Sequence, residues 1–171
     1  MNHVQVEQND VDLIIISRRD KSRCGMRFIS RGCDLDGNAS NTAETEQIFI
    51  VYKKNSYDIN VFSYSQLRGS IPFIWQQKPS LKWEPKGEIP MESHNVDVAR
   101  KHLERLLKEY GSQVLINLID KKGTQKKVGD EFERVVNQLA YPVSQLFRKL
   151  KKPRQVRSGS SGLIFIMNAE R

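Results

Sequence analysis

The residues first tested for chemistry are the two cysteines, Cys24 and Cys33. A phosphatase of the Cys-x5-Arg kind needs a thiolate at the start of a tight loop. Backbone N–H groups wrap the phosphate, and the arginine at the loop's end clamps it. The spacing is strict because both ends of the loop must reach one phosphate. Six residues after Cys24 stands Ser30, and six after Cys33 stands Ala39. Arg31 misses the Cys24 register by one position. Neither cysteine fits, so no catalytic residue is assigned within this chain. The ordinary expectation is a small, buried, apolar thiol. Two cysteines are also too few for a disulfide scaffold, which makes a reducing compartment the default.

Other chemistries fit less well. Asp34-Leu35-Asp36-Gly37-Asn38 invites a calcium reading, but an EF-hand loop wants Gly sixth and Glu twelfth, where this chain has Ala39 and Thr45. An Asp-Gly hairpin turn is the better reading. His3, His94 and His102 are scattered, with no partner at metal-ligand spacing. No Ser/His/Asp order and no glycine-rich nucleotide loop stands out. Neither a metal nor a cofactor is expected.

The elements follow from periodicity. Residues 11–20 read as a buried strand, 26–33 as a second and 45–53 as a third, with the turn at 34–38 between the last two. Two short extended pieces, 59–67 and 71–75, are expected on either side of Arg68-Gly69-Ser70. The segment from Gln76 to Pro90 holds Pro79, Pro85 and Pro90 and reads as a loop. Val96, Ala99, Leu103, Leu106, Leu107 and Tyr110 share one helical face over 96–110. Ser93 or Asn95 is the expected N-cap and Gly111 the stop. The apolar run 114–120 is a strand covered on both faces. A second helix runs from about 130 to about 140, ended by Pro142. Strands first, then helix, strand, helix, imply an α/β or α+β arrangement, a mixed sheet with packed helices. The tail changes character: a basic cluster at 148–157, a flexible SGSSG at 158–162, and a last strand without an obvious partner.

Charge bounds the partners. The chain has 171 residues, 28 Lys and Arg against 20 Asp and Glu, and a net charge of +8. Phosphoinositide headgroups, an anionic membrane surface or nucleic acid would all suit it. The basic tail lacks interleaved aromatics, which argues against single-stranded nucleic acid. The apolar runs at 13–16 and 163–167 are far shorter than a membrane span, and the N-terminus lacks a secretory signal pattern.

Three ordered stretches resemble the Sac domain of phosphoinositide phosphatases, including the synaptojanins. Arg23-Cys24-Gly25-Met26-Arg27, followed by Arg31-Gly32-Cys33-Asp34 and Gly37-Asn38, is similar to Arg-x-Gly-Thr-Arg…Arg-Gly-x-Asp-x-x-Gly-Asn. Asn41-Thr42-Ala43-Glu44-Thr45-Glu46-Gln47-Ile48 is similar to Asn-x-x-Glu-Thr-Glu-Gln-Ile, and the run from Gln66 to Gln76 to Arg-Gly-Ser-Ile-Pro-x-x-Trp-x-Gln. The run 114–123 matches more weakly. The resemblance covers about 11–137. Met26 stands where the family usually has threonine. Residues 1–147 are read as part of such a domain, and 148–171 as a non-family tail.

The resemblance implies hydrolysis of phosphate monoesters on phosphatidylinositol phosphates, through a phosphocysteine and without a metal. The Cys-x5-Arg loop that carries this chemistry is absent from the given sequence. The expectation is therefore a fragment, a truncated gene model or a degenerate relative, inactive alone. It further implies binding of phosphoinositide headgroups at a cytoplasmic membrane surface, peripheral to endomembranes, with no nucleic acid partner. Arg68, in its Gly-Ser loop, is the leading headgroup ligand, joined by Arg27, Arg31 and Lys122 in a cationic cleft. The competing expectation is that Glu44 and Glu46 pair with some of these cations and lock the sheet. The runner-up function is a non-catalytic lipid-binding or scaffold relative, and a third reading is a basic nucleic-acid-binding module.

Overall fold

The computed structural model describes residues 2–6, 9–26, 29–54, 57–78, 85–111, 113–117, 119, 122–139 and 163–168. Strands β1 (Asn2–Val6), β2 (Asn9–Arg19), β3 (Ala43–Tyr52) and β4 (Ile59–Ser70) form an antiparallel meander. A two-stranded ladder, β5 (Gln76–Gln77) with β6 (Gly87–Glu88), precedes helix α1 (Asn95–Tyr110). Strand β7 (Gln113–Asn117), helix α2 (Lys126–Leu139) and strand β8 (Leu163–Asn168) follow. The large sheet has six strands in the order β1-β2-β3-β4-β8-β7. Every ladder within it is antiparallel, and the α+β form of the expected architecture is the one observed.

Several local expectations are corrected. Residues 26–33 form no strand in their described part: Ile29 and Ser30 donate back to the Met26 carbonyl in a turn, and Cys33 makes only an isolated bridge to Ala39. The first short piece does not stop before Arg68 but runs through it as β4 to Ser70, and the second, 71–75, forms no strand. The N-terminal residues pair with β2 as a hairpin strand despite their polarity. The last strand has partners on both sides, with Phe165 opposite Arg68 of β4 and Ile116 of β7. The reason is backbone valency: without β8, the facing edges of β4 and β7 would leave a row of N–H and C=O groups unpaired. Helix α2 starts at Lys126, ahead of the expected Asp130, and the expected stop at Pro142 lies outside the described residues.

One core joins the pieces. Leu67, Ile71, Phe73 and Trp75 at the end of β4 pack with Ala99, Leu103 and Leu106 of α1, Leu115 of β7, and Phe132, Val135, Val136 and Leu139 of α2. The inward helical face read from the sequence is largely the one buried. Gly111 ends α1 as expected, its N–H donating to the Leu107 carbonyl at 3.0 Å. The expected caps do not form. Asn95 is the first residue of α1, and its fully buried side chain is used elsewhere. It accepts from the Ile74 N–H at 3.1 Å and donates to Glu131 at 2.7 Å. Arg134 donates to both oxygens of Glu131, each at 2.7 Å. Asn95→Ala leaves a buried N–H and a buried carboxylate short of partners, so it is expected to cost about 1–3 kcal/mol, read from chemical denaturation.

At the other end of the sheet, His3 Nδ1 sits 2.8 Å from Asp12, and Tyr52 donates to the same carboxylate at 2.9 Å. The hydrogen bond to Asp12 raises the His3 pKa above its usual 6.5. A raised pKa means that the pair's stabilisation is complete below the unfolded value and is lost as pH rises through the folded one. Protection factors of the β1 backbone amides, exchange rates corrected for the intrinsic base-catalysed rate, are therefore expected to fall above neutral pH. His3→Gln is expected to remove that dependence in a hydrogen-exchange series.

Candidate headgroup-binding site

The β2–β3 connection, 20–42, carries the first signature stretch and closes on the third, which runs from Gln66 to Gln76. Between them lies a polar knot. The Gly32 N–H donates to Ser70 Oγ at 2.7 Å, and Cys33 N–H to the Phe73 carbonyl at 2.8 Å. Ser40 N–H donates to Gly32, and Ser70 N–H to Ser40, both at 2.9 Å. Ser40 is fully buried, and its hydroxyl accepts from Arg23 Nε at 3.0 Å. Arg23 also donates to the Arg31 carbonyl at 3.0 Å. Asn41 opens the second stretch and ties in the loop: its side chain accepts from the Gly25 N–H at 3.1 Å and donates to the Ser30 carbonyl at 3.2 Å. Arg23 and Asn41 both have positive φ, 48° and 56°. Asparagine tolerates that region; arginine rarely enters it, and here the surrounding bonds impose it.

The Asp-Gly turn behaves as read. Gly37 has φ 81°, and its N–H donates to Asp34 at 3.1 Å. The turn is also pinned to α1. Arg105 donates to Asn38 and to the Gly37 carbonyl, both at 2.6 Å, and His102 Nδ1 donates to that carbonyl at 2.9 Å. Burial lowers the His102 pKa to about 4, so the ring is neutral near pH 7. Sequence reasoning missed Arg23, Arg105 and Ser70 as organisers, because their partners are remote in sequence.

The two cysteines sit in different surroundings. Burial pushes the Cys33 thiol up to about 12, with Asp34 adding to the effect. Its bridge partner is Ala39, the residue that would have to be arginine in a Cys-x5-Arg loop. Cys24 is exposed.

The four expected headgroup ligands fare differently. Arg27 lies outside the described residues. Arg31 is committed within the fold, donating to Gln77 at 2.9 Å with its guanidinium carbon 5.5 Å from the Trp75 ring centre. Arg68 projects from β4, exposed, and makes no hydrogen bond or ion pair among the described residues. Lys122 is exposed, just before the 3-10 turn Gly123–Gln125. Arg68 lines a small hollow at the end of β4, and neither Arg31 nor Lys122 lines it. Glu44 and Glu46 both bind Arg18, at 2.8 and 2.9 Å, and Tyr110 donates to Glu44 at 2.6 Å. Neither pairs with Arg68 or Lys122. Beside Arg68, a hollow of about 20 Å³ is lined by Ala39, Thr42, Ser70, Pro72 and His102. That volume holds about one water molecule. An inositol phosphate would have to meet Arg68 at the surface.

A sequence profile of the SacI homology domain matches residues 1–157. The chain belongs to that family. Phosphatidylinositol-3-phosphatase SAC1-A of Danio rerio is 40% identical over 126 residues, 74% of this chain and 20% of that relative. Phosphatidylinositol-3-phosphatase SAC1 of Saccharomyces cerevisiae is 38% identical over 128 residues, 75% of this chain and 20% of the relative. Phosphoinositide phosphatase SAC7 of Arabidopsis thaliana is 36% identical over 129 residues, 75% of this chain and 21% of the relative. The chain thus spans about a fifth of the length of these curated relatives.

The knot makes a stringent test of itself. Gly32 has φ 66°, and an added Cβ would sit 2.6 Å from the Trp75 carbonyl oxygen and 2.7 Å from that of Phe73. Both obstacles are backbone. Gly32→Ala is expected to destabilise by about 1–3 kcal/mol or more, whereas Met26→Thr, at a site 69% exposed, leaves the melting midpoint unchanged.

Proposed function

We propose that the chain is the supporting part of a phosphoinositide phosphatase, presenting a cationic surface to the phosphorylated headgroup while protein outside these 171 residues supplies the cysteine. Family membership supports the enzyme class. The observation that carries the division of labour is the state of the two thiols: Cys33 is buried and protonated, and neither cysteine has an arginine in register. In the chemistry implied for the family, a thiolate attacks phosphorus, the inositol oxygen leaves with a proton, and water then hydrolyses the phosphocysteine. Covalent catalysis divides one hard displacement into two easier ones. Nothing in that sequence of steps is asked of Cys24 or Cys33.

Arg68 is the headgroup ligand this reading favours. Its guanidinium is exposed and uncommitted among the described residues, and it offers a planar donor fork to a phosphate. Lys122 is the secondary candidate and Arg31 the weaker one, since its guanidinium already serves Gln77 and Trp75. The substrate belongs to a bilayer, so the chain works at a membrane surface, peripherally and on the cytoplasmic side of endomembranes. Among the described residues no helix is long and apolar enough to cross one.

Purified chain mixed with vesicles containing phosphatidylinositol 3-phosphate is expected to release no phosphate above buffer. Release that falls when Cys24 or Cys33 is changed to serine would overturn the proposal. Arg68→Ala is expected to weaken binding to the same vesicles by about tenfold, the scale of one hydrogen bond to a charged group. Its thermal midpoint stays that of the parent chain. A lowered midpoint with unchanged binding would make Arg68 architectural instead.

A further inference from the structure

The two faces of the meander are charged unequally. Directly opposed residues of an antiparallel ladder share a face, so the registers of β1 to β4 sort their side chains into two sets. One set holds Asp10, Asp12, Glu44, Glu46 and the core residue Leu67. Tyr110 of α1 reaches Glu44, so α1 lies on this side. The opposite set holds Val4, Leu13, Ile15, Phe49 and Phe62, with Arg19 and Arg68 at one end. It contains no Asp or Glu among the described residues of the four strands. Val4 is 47% exposed, and Ile15 and Phe62 are each 58% exposed.

An exposed apolar patch on one face of a sheet marks a binding surface. Here the complement has to be apolar at its centre and tolerant of, or attracted to, positive charge. Arg68 decides between partners. It stands on this face, so a contact between Arg68 and a lipid headgroup can form only if the face turns toward the bilayer. We infer that this acid-free sheet face is the surface by which the chain docks on an anionic lipid bilayer. Phe62 and Ile15 enter the boundary between headgroups and acyl chains, and Arg68 meets a phosphate. Apolar burial and electrostatic attraction then act together, as they do for other interfacial elements. The inference rests on the assignment of Arg68 to the headgroup.

The test is co-sedimentation of the full chain with three kinds of vesicle: phosphatidylcholine alone, phosphatidylcholine with phosphatidylserine, and that mixture with phosphatidylinositol 3-phosphate. Binding to the anionic vesicles, weakened by salt, is expected. Phe62→Asp and Ile15→Asp are each expected to reduce it by about tenfold or more. Val61→Asp is the matched control, because Val61 is 62% exposed and points from the opposite face of the same strand. It is expected to bind as the parent does. All three sites are exposed, and circular dichroism melts check that the fold is kept. The inference is overturned if Phe62→Asp and Val61→Asp bind alike, or if the parent binds none of the vesicles. It is equally overturned if the parent is a dimer by light scattering that Phe62→Asp splits without any vesicle binding, since the face then belongs to a protein contact. If Phe62→Asp abolishes binding but Arg68→Gln leaves the preference for phosphatidylinositol 3-phosphate intact, the headgroup assignment fails and the docking face stands.

Discussion

A buried backbone amide must find an acceptor, and the hydrogen bond from Gly32 to Ser70 is where that constraint shapes this molecule. The β2–β3 connection is long and irregular, and it buries Gly32, Cys33, Ala39 and Ser40 near the end of β4 while Met26, Ile29 and Leu35 stay exposed. Its polar groups would be stranded there without Ser40, Ser70 and Asn41 to receive or supply hydrogen bonds. Once they are satisfied, the connection fixes Ile71, Phe73 and Trp75 in the core and brings Gly37 against α1. The signature residues are therefore first of all the means by which a loop is folded into an interior. Their arginines follow the same logic: Arg23 and Arg31 hold this interior together, and Arg68 extends outward from its edge.

This division explains what the sequence could and could not disclose. The helical face of α1, the strand β3, the stop at Gly111 and the positive φ of Gly37 were legible, because each rests on residues a few positions apart. The expected strand at 26–33 was not realised in its described residues, since alternation there competes with side-chain partners far along the chain: Asn41 donates to the Ser30 carbonyl and Ser70 accepts from the Gly32 N–H. Asn95 shows the same effect at a helix start. Its residue type favours capping, yet burial between Ile74 and Glu131 diverts it.

The candidate cations could be named from the sequence, but not their arrangement. Arginines near a Gly-Ser stretch in a basic chain could be read from composition and spacing, while the expectation that neither Cys24 nor Cys33 is catalytic came from register alone. The fate of each cation depended on neighbours that no local pattern names. Trp75 and Gln77 take up Arg31, and Arg18, which the sequence reading did not single out, takes up both Glu44 and Glu46. Both carboxylates lie on the sheet face opposite Arg68, which has no ion pair among the described residues.

The seating of β8 between β4 and β7 sets an order of events during synthesis. Those two strands emerge from the ribosome long before residues 163–168 do, and until then neither has its neighbour along the facing edge. The meander of β1 to β4 can assemble early from short-range hairpins, but the sheet is completed only by a segment about a hundred residues downstream of β4. During that interval the open edge of β4 is a template for mispairing with any extended chain nearby. A nascent polypeptide of this design therefore has a window in which a holding chaperone would matter most, and the window closes when β8 arrives.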